Sequence, residues 1–234
     1  MITLPDKSRA GISEMFNSIA GSYDFLNHLL SFGIDIRWRK ALIRQIMKSN
    51  PKSALDVACG TGDLAIALRR RGLNVKAVDI ARKMIDVAIQ KSEKTGTDIE
   101  FICTSADSLP FEKCSFDLVT IGFGIRNFEN RGESILEIKR VMKEGGELAI
   151  LEFATPRNRL WRWIFDIYFS RLVPFIGGLV SKRRSAYNYL PVSVSSFPQY
   201  GEFACELEHF GFKDVKFKTM SGGVAVLYTG KKIV

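Results

Sequence analysis

Between residues 54 and 65 the chain reads Ala-Leu-Asp-Val-Ala-Cys-Gly-Thr-Gly-Asp-Leu-Ala: an apolar run meets Asp56, passes through Gly60, Thr61 and Gly62, and ends on Asp63. Glycines at this spacing let the backbone take up positive φ and approach a ligand closely, while the helix that follows presents free N–H groups. Gly60-x-Gly62-x-x-Ala65 satisfies the dinucleotide pattern, so the glycines alone would accept a diphosphate. The two acids argue against one. A carboxylate on either side of the loop repels a diphosphate and suits a ligand carrying a cationic amine.

S-adenosylmethionine, with an ammonium, a sulfonium and no phosphate, is such a ligand. Asp79 ends a second apolar run, Val-Lys-Ala-Val-Asp-Ile, where a carboxylate can accept both ribose hydroxyls, with Ile80 directly behind it. That feature suits NAD equally. Farther along, Ser105 or Asp107 is placed to reach an adenine amino group while Ala106 or Leu109 packs on its face, and the alternative for Asp107 and Asp117 is a turn or capping acid. A fourth apolar run opens into Gly122-Phe-Gly-Ile-Arg126-Asn127, where Gly122 is a candidate cofactor contact.

These residues need a scaffold. From residue 53 onward short apolar runs alternate with helical patterns, which predicts an α/β fold with a doubly wound, mostly parallel sheet. Two amphipathic helices, 12–30 and 34–47, precede the sheet, broken around Ser31 to Gly33. A helix over 197–209 and two strands joined by Ser221-Gly-Gly end the chain, and the strands read as an antiparallel hairpin on the sheet edge. We expect one domain: a helical cap to residue 50, a cofactor core over 51–153, a lid or membrane-facing insertion over 154–196, then the last helix and hairpin.

Composition sets the remaining bounds. A chain of 234 residues with 46% hydrophobic content can bury a real core, and its net charge of +9 is scattered without a single-sign block. Cys59, Cys103, Cys114 and Cys205 form no C-x-x-C pair and read as reduced core thiols, with no metal site expected from them and His28 or His209. The amino terminus lacks the apolar region of a secretory signal, so a cytoplasmic protein is expected. Residues 160–180 are greasy but interrupted by Arg162, Asp166, Arg171 and Pro174, a poor membrane span and a fair interfacial one.

The chain resembles the class I S-adenosylmethionine-dependent methyltransferases, and within them the ubiquinone/menaquinone biosynthesis C-methyltransferase family. The segments that carry the likeness are Met15 to Arg39 (MFNSIAGSYDFLNHLLSFGIDIRWR), DVACGTGDLA, SADSLPF, FGIRNF, GGELAILEF, YNYLPVSVSSFP and GGVAVLYTGKK. Gly122 stands where some members have a serine, and Tyr228 where a histidine is usual.

The resemblance implies a seven-stranded sheet, S-adenosylmethionine as methyl donor with S-adenosylhomocysteine as product, and methylation of a ring carbon of a polyprenylated hydroquinone. Arg126 would stabilise a developing phenolate, Asn127 would orient the ring oxygen or a water, and Tyr23, Tyr187 and Tyr189 would line the substrate pocket. Neither histidine is expected in place to act as a general base. The expected partners are a lipophilic quinol and the surface of an anionic membrane, met as a peripheral protein, with no nucleic acid; a homodimer stays open. The competing readings are a methyltransferase with another lipophilic acceptor and an NAD-dependent dehydrogenase.

Overall fold

Seven strands form one sheet in the order β3-β2-β1-β4-β5-β7-β6. In this computed structural model, which describes residues 6–173 and 184–233 and leaves aside the side chains at 170, 171 and 184–188, the strands are β1 (Ser53–Val57), β2 (Asn74–Asp79), β3 (Glu100–Cys103), β4 (Phe116–Gly122), β5 (Met142–Phe153), β6 (Phe212–Met220) and β7 (Ala225–Lys232). The first five pair in parallel, while β7 runs antiparallel to both β5 and β6. The order reverses between β1 and β4, and ligands of open α/β sheets bind beyond the carboxyl ends of the strands at such a point.

The apolar strands read as continuous runs because both faces of the sheet are covered. On β5, Leu148 and Ile150 join a core with Val119 and Ile121 of β4 and with Phe203 and Leu207 of a late helix. Their neighbours Ala149 and Leu151 face the opposite core, with Trp38, Leu42 and Ile46. Period-two alternation thus divides one strand between two layers.

The helices are α1 (Arg9–Ile19), α2 (Tyr23–Leu30), α3 (Ile34–Ile46), α4 (Asp63–Arg69), α5 (Arg82–Lys94), α6 (Arg131–Val141), α7 (Arg159–Ile167), α8 (Arg184–Ser196) and α9 (Gly201–His209). The expected break at residues 31–33 is present, with Gly33 at φ 70° leading into α3. The expected single helix over 12–30 is two, interrupted by a 3₁₀ turn at Ala20–Ser22. α8 lies within the expected insertion over 154–196 and is not legible there as a helix, since Pro191 lies inside it and Pro normally breaks a helix interior. The carboxyl-terminal helix begins at Gly201 rather than 197.

A third apolar cluster carries the amino-terminal helices. Ile12, Met15 and Ile19 of α1 and Leu26 of α2 pack with Met84 of α5 and with Val173 and Tyr189. Segments distant in sequence therefore close over the carboxyl ends of the strands. The cysteines depart from expectation: Cys103, Cys114 and Cys205 are exposed rather than in the core, and Cys59 is half-buried; all four are free.

Candidate active site

Two joined cavities open at the switch point. The smaller, about 80 Å³, is lined by Asp79, Ile80, Ser105, Ala106, Asp107 and Asn127. The larger, about 340 Å³, is lined by Asp56, Thr61 and Arg126 together with apolar side chains of α1, α3, α7 and α8. Phe16, Tyr23, Ala58, Gly122 and Phe123 border both and form the passage between them.

The passage is held by unusual backbone. Ala58 after β1 and Phe123 after β4 sit at φ 54° and 60°, a region costly for residues with a Cβ, by roughly 1–3 kcal/mol each. Gly124 is needed here, since a Cβ on it would come within 2.6 Å of the Ala58 Cβ. The loops after β1 and β4 thus meet at the closest distance the chain allows.

In the smaller cavity Asp79 is buried, and its oxygens accept from Gly60 N and Ala81 N at 2.8 Å each. Gly60 and Gly62 do not line either cavity; they shape the turn at φ 56° and 82° and direct the Gly60 amide to Asp79. Burial pushes the Asp79 carboxyl upward, opposed by its backbone donors. Ser105 Oγ donates to Asp107 Oδ1 at 2.5 Å, and Arg9 of α1 pairs with Asp107 Oδ2 at 2.7 Å. The first helix is therefore tied across the cavity it covers.

In the larger cavity, burial pushes the Asp56 carboxyl up to about 7, against the lowering effect of the Thr120 hydroxyl, which donates to Oδ1 at 2.7 Å. Arg126 is 8% exposed and its Nη1 donates to Glu152 Oε1 at 2.6 Å and to Phe123 O at 2.5 Å, with Nε on Ser193 Oγ at 3.3 Å. Glu152 is fully buried. The guanidinium is thus half of a buried ion pair that still lines the cavity. Tyr189 is buried beside it, and burial raises the phenol above its usual range.

Three buried side-chain atoms among the described residues have no hydrogen-bond partner: Asp56 Oδ2, Asn127 Oδ1 and Tyr189 Oη. Each belongs to a residue lining one of the two cavities, Asn127 the smaller, Asp56 and Tyr189 the larger. Leaving a polar atom unpaired in the interior costs roughly 1–3 kcal/mol. Groups that supply hydrogen bonds at these three places would remove that cost.

Several expectations are redistributed. Asn127 stands on the smaller cavity, apart from Arg126 on the larger. Tyr187 lies outside the described side chains. Asp63 is committed to Arg39, with an oxygen 3.1 Å from Nη2, and to Lys91 Nζ. Sequence reasoning missed His28: α2 and α3 fold back over the glycine loop, so the ring lines the larger cavity, Nδ1 2.9 Å from Asp35 Oδ2. The one available signal was the seven-residue spacing of His28 and Asp35 across the break at residues 31–33, which does not by itself say that the segment faces a cavity.

An S-adenosyl group fits these residues. Asp79 presents a carboxylate in the smaller cavity, no lysine or arginine among the described residues except Arg9 borders it, and the unpartnered Asp56 oxygen beside the adjoining cavity suits an ammonium better than a phosphate.

A family model described as the ubiE/COQ5 methyltransferase family matches residues 3–232. "Ubiquinone/menaquinone biosynthesis C-methyltransferase UbiE" of Geotalea uraniireducens is 40% identical over 99% of this chain and all of its own length. "Demethylmenaquinone methyltransferase" of Thermus thermophilus is 40% identical over 93% of this chain and all of its own. Among solved structures, a SAM-dependent methyltransferase of Thermotoga maritima, titled a possible histamine N-methyltransferase, superposes with a TM-score of 0.66 at 17% identity, covering 94% of this chain and 99% of its own. That likeness is one of fold.

Proposed function

The chain belongs to the ubiE/COQ5 methyltransferase family, and from that premise we propose that it transfers a methyl group from S-adenosylmethionine to a ring carbon of a polyprenylated hydroquinone, demethylmenaquinol or its benzoquinol equivalent. The observation that carries the reading is the distribution of unpartnered polar atoms. They border two connected cavities, one small and the more polar of the two, the other large and mostly apolar. That is the arrangement needed by a nucleoside-bearing donor and a greasy acceptor meeting at a passage.

S-adenosylmethionine, when bound, supplies an electrophilic methyl whose bond to sulfur breaks with its electron pair left on sulfur. Asp79 is placed for the ribose, Ser105, Ala106 and Asp107 for the adenine, and Asp56 for the ammonium. Ile80, Thr61 and Gly122 complete the walls.

Ring carbon is a weak nucleophile until the adjacent phenol is ionised, and at neutral pH a phenol of pKa ~10 is ionised to about one part in a thousand. Arg126 lowers that cost by directing positive charge into the cavity, although Glu152 already balances part of it. Nη2 of Arg126 donates to no described group, which leaves it for the quinol oxygen. Tyr189 Oη offers a second contact to the same ring. Asn127, on the cofactor side, orients the donor rather than the acceptor. Tyr23 closes the passage, and the apolar walls exclude water.

The isoprenoid tail calls for a membrane. Phe32, Trp161 and Ile164 line the larger cavity and are 76%, 40% and 42% exposed, so they form its rim. Phe25 and Leu29 of α2 and Leu160 and Trp163 of α7 are exposed as well, as are the cations Arg37 and Lys40 of α3 and Arg159 and Arg162 of α7. No described helix is long and apolar enough to cross a membrane. This rim suits a peripheral protein on an anionic surface. Flotation with anionic liposomes should capture the protein at low salt and lose it at high salt; equal flotation with neutral vesicles, or none, would remove the membrane from the account.

The function is tested by incubating the protein anaerobically with methyl-labelled donor and a demethylated naphthoquinol or benzoquinol. Label in a ring carbon of either supports it, and the pair identifies the ring. Label in neither, with S-adenosylhomocysteine still binding, would leave a methyltransferase of another acceptor; tight NADH binding with no S-adenosylhomocysteine binding would favour a dehydrogenase.

A further inference from the structure

Nothing named so far takes the quinol proton. Arginine does not surrender its own in a protein, so Arg126 stabilises charge without accepting a proton. Asp56 has an open oxygen, but a cationic amine placed against it would hold it as an ion-paired carboxylate and a poor base. His28 remains. Its side chain lines the larger cavity, contributed by α2.

We propose that His28, oriented by Asp35, is the general base that accepts the hydroxyl proton of the quinol. This rests on the function proposed above. Asp35 is 4% exposed and its carboxylate is fixed by Ser31 Oγ at 2.5 Å, by Arg39 Nη2 and by His28 Nδ1 at 2.9 Å. A carboxylate can only accept, so Nδ1 carries the hydrogen and Nε2 the lone pair. Nε2 forms no hydrogen bond among the described residues; the nearest carboxylate oxygen, Asp63 Oδ2, is 3.9 Å away. Orienting carboxylate, fixed tautomer and open nitrogen on a substrate cavity are the parts of a histidine base.

The surrounding charges leave that nitrogen available. Around the ring stand Asp24 on α2, Asp35 and Arg39 on α3, Asp63 on α4 and Lys91 on α5. Asp63 is shared between Arg39 and Lys91, and Asp24 accepts from Lys91 Nζ at 2.7 Å and from Thr61 Oγ1 at 2.5 Å. Each acid has a cationic partner and none is hydrogen-bonded to Nε2.

The proton balance closes with water as the final acceptor. The quinol O–H bond breaks with its electron pair left on oxygen, and Nε2 gains the proton. After the ring carbon has formed its new bond to methyl, the hydrogen on that carbon leaves to water. The imidazolium then returns its proton to the ring oxygen, so one proton is released per turnover. His28 Nε2 is the catalytic atom; Asp35 is a positioning residue.

The test uses the whole chain, its His28→Gln and His28→Asn variants, and Asp35→Asn. The His28 side chain is 37% exposed and makes one hydrogen bond among the described residues, so the two His28 variants are expected to fold, which thermal unfolding checks. The first readout needs no donor. A demethylated naphthoquinol titrated anaerobically should bind the wild type and His28→Gln with affinities within about threefold of each other, since a base acts on the reacting step and not on the bound ground state. A His28→Gln protein that loses quinol affinity instead would make His28 a binding residue and not the base.

The second readout is kinetic. Loss of His28 should lower kcat by ~100-fold or more, with S-adenosylhomocysteine affinity unchanged and the acid limb of the quinol kcat/KM profile, taken at saturating donor, gone. Asp35→Asn should lower kcat by ~10-fold or more and displace that limb. A His28→Gln protein that keeps the limb and turnover within about threefold would overturn the assignment. A wild type that methylates neither quinol would overturn the function and this inference with it.

Discussion

The two cavities are built by different means. The smaller is made where strands end: Asp79 closes β2, Gly122 closes β4, and Ser105 to Asp107 follow β3, so a few local segments deliver its walls. The larger is made where helices distant in sequence converge, with α2, α3, α7 and α8 contributing His28, Trp38, Phe165 and Tyr189. Backbone geometry at the ends of a parallel sheet is dictated by the fold, which a protein only 17% identical to this one shares. Side chains on converging helices are free to change, and they decide the acceptor.

The largest effect that would test this contrast belongs to Arg126. Arg126→Ala leaves Glu152 as a buried charge without its partner, and should cost about 3–5 kcal/mol of unfolding free energy besides ~100-fold in turnover. Arg126→Met with Glu152→Gln keeps an acceptor for Phe153 N, which lies 2.8 Å from Glu152 Oε1. Stability by denaturant titration should largely return in that double variant and turnover should not. Recovery of both would make Arg126 a structural residue only.

Asp79→Ala comes next. It removes the acceptor of Gly60 N and Ala81 N and the proposed ribose partner at once. S-adenosylhomocysteine binding by calorimetry should weaken by roughly 2–4 kcal/mol, while quinol binding is spared if the cavities are as separate as their construction implies. Equal losses for both ligands would deny that separation.

The contrast in construction also explains what could be read from residues alone. Asp56, Gly60, Gly62 and Asp79 fall at strand ends and turns whose local pattern shows in the sequence, as did the sheet with its antiparallel hairpin. The glycines were legible as a turn but not as wall, since only the fold shows the Gly60 amide given to Asp79. His28 and the pairing of Arg126 with Glu152 were not legible. Residues 126 and 152 meet through the β4 and β5 pairing and its loops, and residue 28 reaches Asp63 only because the α2 and α3 helices fold back. α8 was hidden by Pro191.

A pH experiment sharpens the donor side further. The Asp56 carboxyl is held up to about 7, so the folded protein keeps a proton that the unfolded chain loses near pH ~4. Stability from this group is therefore present below about 4 and falls as pH rises through about 7. Asp56→Asn should abolish that fall and be the more stable form above pH 7 in thermal unfolding. A cationic amine favours the carboxylate, so wild-type affinity for S-adenosylhomocysteine should rise through the same range with release of a proton, and the variant's should be weaker and flat. A pH-independent wild type would remove Asp56 from the ammonium.

The smallest effect belongs to the acceptor side. Tyr189→Phe removes a hydroxyl that has no partner in the free protein. Stability should be unchanged or slightly improved, S-adenosylhomocysteine affinity unaltered, and the quinol KM raised by ~5–10-fold, the worth of one hydrogen bond. A change in cofactor affinity instead would place Tyr189 on the wrong side of the passage.

The central claim is that two differently built cavities meet at a single passage formed by Phe16, Tyr23, Ala58, Gly122 and Phe123. A crystal structure with bound S-adenosylhomocysteine tests it most directly. The account predicts the ribose hydroxyls on Asp79, the adenine beside Ala106, and the sulfur in the passage facing the cavity of His28, Arg126 and Tyr189. A sulfur turned away from that cavity, or an adenosine lodged within it, would contradict the account.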